Sequence, residues 1–283
     1  MNSMKWLLNC AYREHFAFPA CNFENFEMLE GIVQGASNVN SPIIVQTTEP
    51  AISHLGLRRI VYMVNSYMEE YSIPIVLHLD HAKNIQLIQD CIDAGYTSVM
   101  VDYSDCPIDE NIKKVQSIID YAKRNDVAVE AEVGFVGSEL YASELTNIQQ
   151  VSYFLNKAPV DALAVSLGNE HGGKQRTKLL NNFLLQELSQ VVSIPLVLHG
   201  SSGVITEEII GAIHYGICKI NIETELRMIF KAAIEEYYRN ECSDIKPRNL
   251  MTYTKNMIAK NVEKKCIDYG CANTLKNAGY FGK

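Results

Sequence analysis

Short apolar runs alternate with longer amphipathic stretches along the chain. The clearest apolar runs cover 42–46, 74–79, 97–102, 127–132, 161–166, 195–199 and 217–222, with a weaker one near 16–21. They lack strict polar–apolar alternation, as expected of parallel strands covered on both faces. Between them, apolar residues recur at helical spacing over 24–38, 55–71, 84–94, 108–125, 145–156, 179–192, 205–214 and 223–240. Eight strands, each followed by a helix, predict an α/β fold of the (β/α)8 TIM barrel type. A doubly wound open sheet is the alternative, and no Gly-x-Gly-x-x-Gly turn follows the first strand to favour it. No low-complexity linker divides the chain. Residues 1–283 are therefore expected to form one barrel domain, with extra C-terminal helix from about 245, including a helix near 254–269.

Composition narrows the function. The chain has 283 residues, 47% of them hydrophobic, enough for a sizeable core. Its net charge is −8 and it has no Lys/Arg cluster, which argues against nucleic acid or an anionic membrane as partner. A small anionic substrate is not excluded, because it needs only a local site. The eight cysteines form no C-x-x-C pair and read as buried thiols. With an opening stretch too quickly polar for a secretory signal, this points to the reducing cytoplasm.

Barrel chemistry collects where strands run into the following loops. The polar residues there are Asn22, Thr47-Thr48-Glu49, Asp80-His81, Asp102 to Asp105, Glu130 and Glu132, Gly168 to Gly173, His199 to Gly203, and Asn221 to Thr224. His81, His171 and His199 come from different strands and converge on the same end. Three imidazoles with an open position make a catalytic zinc arrangement; hydrogen-bonding structural histidines are the competing reading. His78 lies two residues before Asp80 and shares its face of the strand, opposite to that of His81, so it reads as an interior support. His15, His54 and His214 read as structural or surface residues. Gly172-Gly173 and Gly200-Ser201-Ser202-Gly203 directly follow two of the histidines. Glycine lets backbone N–H groups approach a phosphate closely. Together with Asn221 and Thr224 these form a candidate phosphate site, ordinary glycine turns being the alternative. A phosphate beside a metal implies a small phosphorylated substrate.

From Asn22 to about Ala272 the sequence resembles the class II, zinc-dependent fructose-bisphosphate and tagatose-bisphosphate aldolases. The motifs are HLDHA (78–82), AGYTSVMVDYSDCPIDENI (94–112), VEAEVG (129–134), HGG (171–173), LVLHGSSGV (196–204) and GICKINIETELR (216–227). The resemblance implies reversible cleavage of a ketose phosphate to dihydroxyacetone phosphate and an aldehyde, with fructose or tagatose 1,6-bisphosphate favoured. It implies one Zn2+ held by His81, His171 and His199, with the acidic Glu132 close by. Asp80 falls on the catalytic acid, and Asn221 also belongs to the catalytic set. Asn22, Thr48, Gly172, Gly200, Ser202, Asn221 and Thr224 match substrate-binding positions, with Glu223 in the place of an Asp or Ala. A homodimer or homotetramer, often with a monovalent cation near the phosphate, is also implied.

The sequence departs from that pattern at the aldehyde end. The family carries a second acid on a mobile loop after strand 5. Here the loop reads Gly137-Ser138-Glu139-Leu140-Tyr141, with Leu140 at the catalytic position. Glu139, shifted by one residue, or Glu144 would supply the base. After His171 the loop is shorter and brings Lys174 and Arg176 as candidate anion binders. Asp105 stands where the family has a His or Lys. Lys255 falls where an arginine reaches the distal phosphate from a neighbouring subunit. Rival functions are an isomerase or epimerase using the same enediolate chemistry, and a sugar-phosphate-binding protein that has lost the loop base. A metal-dependent hydrolase is disfavoured, because HLDHA lacks that class's H-x-H ligand pair.

Overall fold

Parallel strands pair in chain order and the last closes on the first. The computed structural model describes residues 3–138, 141–173, 175, 177–240 and 246–274. The strands are β1 (Phe18–Asn22), β2 (Ile43–Thr47), β3 (Ile75–Ala82), β4 (Ser98–Val101), β5 (Ala128–Val133), β6 (Ala162–Val165), β7 (Leu196–Leu198) and β8 (Ile217–Ile222). Nearly every strand residue is buried, as expected when side chains fill the barrel on one face and meet helices on the other. The (β/α)8 barrel predicted from the apolar runs is the observed fold.

The helices that follow the strands are α2 (Phe26–Asn38), α3 (Glu49–Leu55) with α4 (Leu57–Glu70), α5 (Ile85–Ala94), α6 (Ile108–Arg124), α7 (Ile148–Lys157), α8 (Asn182–Val191), α9 (Thr206–Ile213) and α10 (Thr224–Asn240). Several begin with the same device. The side chains of Asn25, Thr48, Asn84, Asn147 and Asn181 each accept a hydrogen bond from a backbone N–H three residues on. That satisfies an otherwise orphaned donor of the first turn. It also fixes where each strand-to-helix loop ends, and those loops carry the polar residues of the site.

The structure differs from the sequence reading in three places. The helix expected over 55–71 is α4, and an unpredicted short helix, α3, precedes it, with Gly56 at φ 87 turning the chain between the two. An unpredicted helix, α1 (Met4–Glu14), buries Met4, Leu7, Leu8 and Ala11 at helical spacing. Lys5 pairs with Asp161 at 3.4 Å, just before β6, so α1 covers the end of the barrel where strands begin. The C-terminal helix, α11 (Pro247–Asp268), starts earlier than expected.

α11 packs lengthwise against α2, and two glycines permit the close approach. A Cβ at Gly35 would stand 2.4 Å from the carbonyl oxygen of Ala259, and one at Gly31 2.7 Å from that of Lys255. Backbone cannot yield as a flexible side chain can. Among the described residues, cysteines are free thiols and most are buried. No helix among the described residues is long and apolar enough to cross a membrane. Gly35→Val is expected to overpack the α2–α11 contact at a cost of about 1–3 kcal/mol. Thermal unfolding followed by circular dichroism should show a midpoint several degrees lower; an unchanged midpoint would mean that the helices separate without cost.

Candidate active site

The end of β3 shows how the chain builds the site. In a regular strand, neighbouring side chains point to opposite faces, so Asp80 and His81 would diverge. Instead the pairing of β3 with β4 shifts register between Leu79 and Ala82, and His81 takes a left-handed backbone with φ 49. A bulge of this kind re-aims a side chain at a strand end. Asp80 and His81 consequently face the same hollow, with Asp80 Oδ1 3.9 Å from His81 Nε2. His81 Nδ1 lies 2.6 Å from Asp102 Oδ2. Asp102 is itself held by the backbone N–H and hydroxyl of Ser104. This leaves His81 Nε2 buried without a hydrogen-bond partner.

His171 and His199 arrive on loops brought together by glycines. Gly200 has φ 55, and a Cβ there would meet the Glu170 backbone at 2.6 Å. A Cβ at Gly173 would meet Gly203 Cα at 2.6 Å. The two loops thus pass backbone against backbone, which only glycine allows. Asn169 adds a tether by donating to the His199 carbonyl at 2.8 Å. As a result, one ring nitrogen from each of His81, His171 and His199 lies within 4.8 Å of the others.

These residues fit a metal ion. His81 has one ring nitrogen against a carboxylate and His199 has both, and a carboxylate on the far nitrogen is the arrangement that orients metal-binding imidazoles. In His199, Nε2 lies 3.0 Å from Glu130 Oε1 and Nδ1 2.8 Å from Glu132 Oε2. Burial, then the charges of His81 and His199, lower the His171 pKa to about 3, so it offers a neutral imidazole. Burial also works against a proton on His81, but Asp80 and Asp102 outweigh it and raise its pKa to about 10. An ion would displace protons of this kind.

A buried polar layer supports the site from inside the barrel. Lys219 donates to Asn221 Oδ1 at 2.7 Å and pairs with Glu130 at 3.1 Å. Asn221 and Asn22 donate to the two oxygens of Asp80 at 2.9 and 3.0 Å. Gln46 in turn donates to Asn22 at 2.7 Å. Burial would raise the pKa of Asp80, but His81, Lys219 and His199 hold it down to about 2. His78 is wholly buried against Ser98, 2.8 Å away, matching the support role read from the sequence. Burial and the Lys219 charge lower its pKa to about 3.

The class II fructose-bisphosphate aldolase family model matches residues 2–274. The chain belongs to that family. The YdjI aldolase from Escherichia coli K12 is 28% identical, with a TM-score of 0.86 over 96% of this chain and 98% of that one. A Coccidioides immitis structure assigned as a fructose-1,6-bisphosphate aldolase is 26% identical, with a TM-score of 0.87 over 98% of this chain and 99% of that one. The fructose-bisphosphate aldolase of Campylobacter jejuni is 22% identical, with a TM-score of 0.83 over 95% of each chain, and shares the fold. The protein is a metal-dependent aldolase, a lyase.

Most of the residues singled out in the aldolase sequence come together. Asn22, Asp80, His81, His171, Gly172, Gly200, Ser202, Asn221, Glu223 and Thr224 line one narrow hollow. Thr48 and Glu132 line a wider cleft of about 690 Å³ that opens from it. Lys255 lies elsewhere in its own chain, bonded to Glu30 at 2.7 Å in the α2–α11 contact. Glu139, Leu140, Lys174 and Arg176 fall outside the described residues. Glu144 is exposed and pairs through its backbone with Phe135. Sequence reading assigned no role to Lys219, Glu130, Asp102 or Gln46, although Glu130 and Asp102 were visible as acids at strand ends.

The charge pattern predicts acid sensitivity of the metal-free protein. His78 and His171 stay neutral in the fold down to about pH 3. Unfolded histidine takes a proton below about pH 6.5. The unfolded state then binds more protons, so stability falls as pH falls. Asp80, ionised in the fold down to about pH 2, loses its contribution in the same direction, beginning below the unfolded carboxylate range near 4. His81 is protonated in both states below about pH 6.5, so its contribution is constant there. Chelator-treated protein should therefore show a melting temperature that drops from pH 6.5 to 4 and more steeply below. A flat or rising trend would contradict these assignments.

Proposed function

We propose that this aldolase is zinc-dependent and reversibly cleaves a ketose phosphate to dihydroxyacetone phosphate and an aldehyde. The observation that carries the reading is the convergence of three imidazole nitrogens within 4.8 Å, with Asp80 beside them and a glycine-lined hollow adjoining. His81, His171 and His199 would hold the ion, with Glu132 close to it. A zinc ion there supplies Lewis-acid polarisation of a ketone oxygen.

The protein groups account for the other requirements. Gly172, Gly200 and Ser202 line the hollow where two loops meet, and backbone N–H groups there would suit phosphate oxygens. Asn221 and Thr224 flank it, and Asn22 and Asn221 hold Asp80 in a fixed orientation. Asp80, ionised at neutral pH, accepts the proton of the hydroxyl on the cleaving side and returns it during condensation. Glu139 on the loop after β5 is our proposed base for the carbon next to the ketone. Glu223 borders both the hollow and the cleft, where it meets the substrate between its two halves. Fructose and tagatose 1,6-bisphosphate are the reference substrates suggested by the family.

A coupled assay against a panel of ketose phosphates, with and without chelator, tests the reading alongside metal analysis. Turnover should vanish with chelation and return with zinc. His171→Ala should lose metal and activity together. Asp80→Ala should retain metal while kcat falls by about 10²- to 10⁴-fold. Isomerised sugar phosphate without a dihydroxyacetone phosphate product would replace the aldol reading with an isomerase.

A further inference from the structure

We infer that Lys219 is a positioning residue for the aldol reaction. It decides which end of the Asn221 amide faces Asp80 and the substrate hollow. The role rests on the function proposed above and deepens it.

Lys219 and Asn221 stand two apart on β8 and therefore share its inward face. Both are buried. An ammonium has three donors and no acceptor. Those of Lys219 reach Asn221 Oδ1 at 2.7 Å and the two Glu130 oxygens at 3.2 and 3.1 Å. An amide turned the other way would set its NH2 against the ammonium, donor against donor, in a buried site where unpaired polar groups are costly. The carbonyl end of Asn221 is therefore held toward Lys219, and its nitrogen end toward the active site. Nδ2 donates to Asp80 Oδ1 at 2.9 Å. It carries a second hydrogen, and Asn221 lines the hollow beside Gly200, Ser202 and Thr224. A substrate oxygen that gains negative charge there meets a donor. With the amide reversed it would meet a lone pair.

The other amide on Asp80 lacks this control. Asn22 donates to Asp80 Oδ2 at 3.0 Å and accepts from Gln46 at 2.7 Å. Gln46 is itself an amide that can offer either end, and its Oε1 is buried with no hydrogen-bond partner among the described residues. A neutral group that can reverse imposes polarity weakly, whereas a cation without an acceptor leaves one choice. Glu130 balances the buried charge, and it also touches His199 Nε2 at 3.0 Å. Lys219 thus has two routes to the active site, one through Asn221 and one through His199. The polarity argument assigns its effect on the reaction to Asn221.

The test uses the zinc-loaded full chain and deuterium exchange into dihydroxyacetone phosphate, measured without aldehyde. Lys219→Met combined with Glu130→Gln removes both buried charges, so neither is left unpaired. Zinc content should equal that of the unaltered chain. KM for dihydroxyacetone phosphate should stay within about threefold, while the saturated exchange rate falls by about 10- to 100-fold. Asn221→Ala should slow exchange at least as much. Adding the Lys219→Met and Glu130→Gln pair to Asn221→Ala should slow it no further than about twofold, because the amide through which Lys219 acts is gone. Asn221→Asp leaves the Lys219–Glu130 pair intact and does not depend on the charge-free barrel folding. Its carboxylate accepts from Lys219 but offers no N–H, so exchange should be slowed as in Asn221→Ala. Normal exchange in Asn221→Asp overturns the inference. So do multiplying effects in the combined variant, or undiminished exchange in Lys219→Met with Glu130→Gln. Zinc loss in step with activity also overturns it, by assigning Lys219 to the His199 route. Absence of exchange in the unaltered chain refutes the proposed function, and this inference falls with it.

Discussion

The Lys219 ammonium is wholly buried inside the barrel, away from bulk solvent. Such a charge is tolerated only when paired and hydrogen-bonded. Glu130 on β5 supplies the pairing charge and Asn221 on β8 the second acceptor. Two arms extend from this point. One runs through Glu130 to His199 and then Glu132. The other runs through Asn221 to Asp80, Asn22 and Gln46. His199 and Asp80 therefore share one anchor. Their spacing is set by the strands rather than by the loops above them, and strands hold a catalytic geometry more tightly.

That anchor was hidden in the sequence for a physical reason. Lys219 sits in Ile217-Cys218-Lys219-Ile220-Asn221-Ile222, where a lysine in an apolar run reads as a residue turned to solvent. Only barrel closure puts it on the inward face opposite Glu130. The strands themselves were legible because two-sided burial leaves continuous apolar runs. His81, His171, His199 and Asp80 were legible because polar residues at strand ends have little structural reason to be there. α1 was missed although Met4, Leu7, Leu8 and Ala11 keep helical spacing. Its helix lies before the first strand, where the repeating strand–helix pattern gives no expectation of one.

Glycine carries two different tasks in this molecule. Along α2 it lets α11 lie close, and the pair joins the C-terminal helix to the barrel wall. At Gly173 and Gly203 it lets the loops after β6 and β7 touch through their backbones. Both contacts bring main chain within reach of main chain, but the consequence differs. Between helices the result is packing. Between the loops the result is a hollow lined by Gly172, Gly200 and Ser202 beside the histidines.

The bulge at the end of β3 links these features. A regular strand would send His81 away from Asp80 and out of the barrel mouth, and the three-imidazole cluster would lose a member. The left-handed backbone at His81 is costly for a residue with a Cβ. It persists because the side chain is fixed independently: Asp102, one residue past β4, holds Nδ1 at 2.6 Å. That bond decides which nitrogen remains for an ion. Left-handed backbone, register shift and carboxylate partner together turn two adjacent residues of opposite parity into an imidazole and an acid that share one hollow.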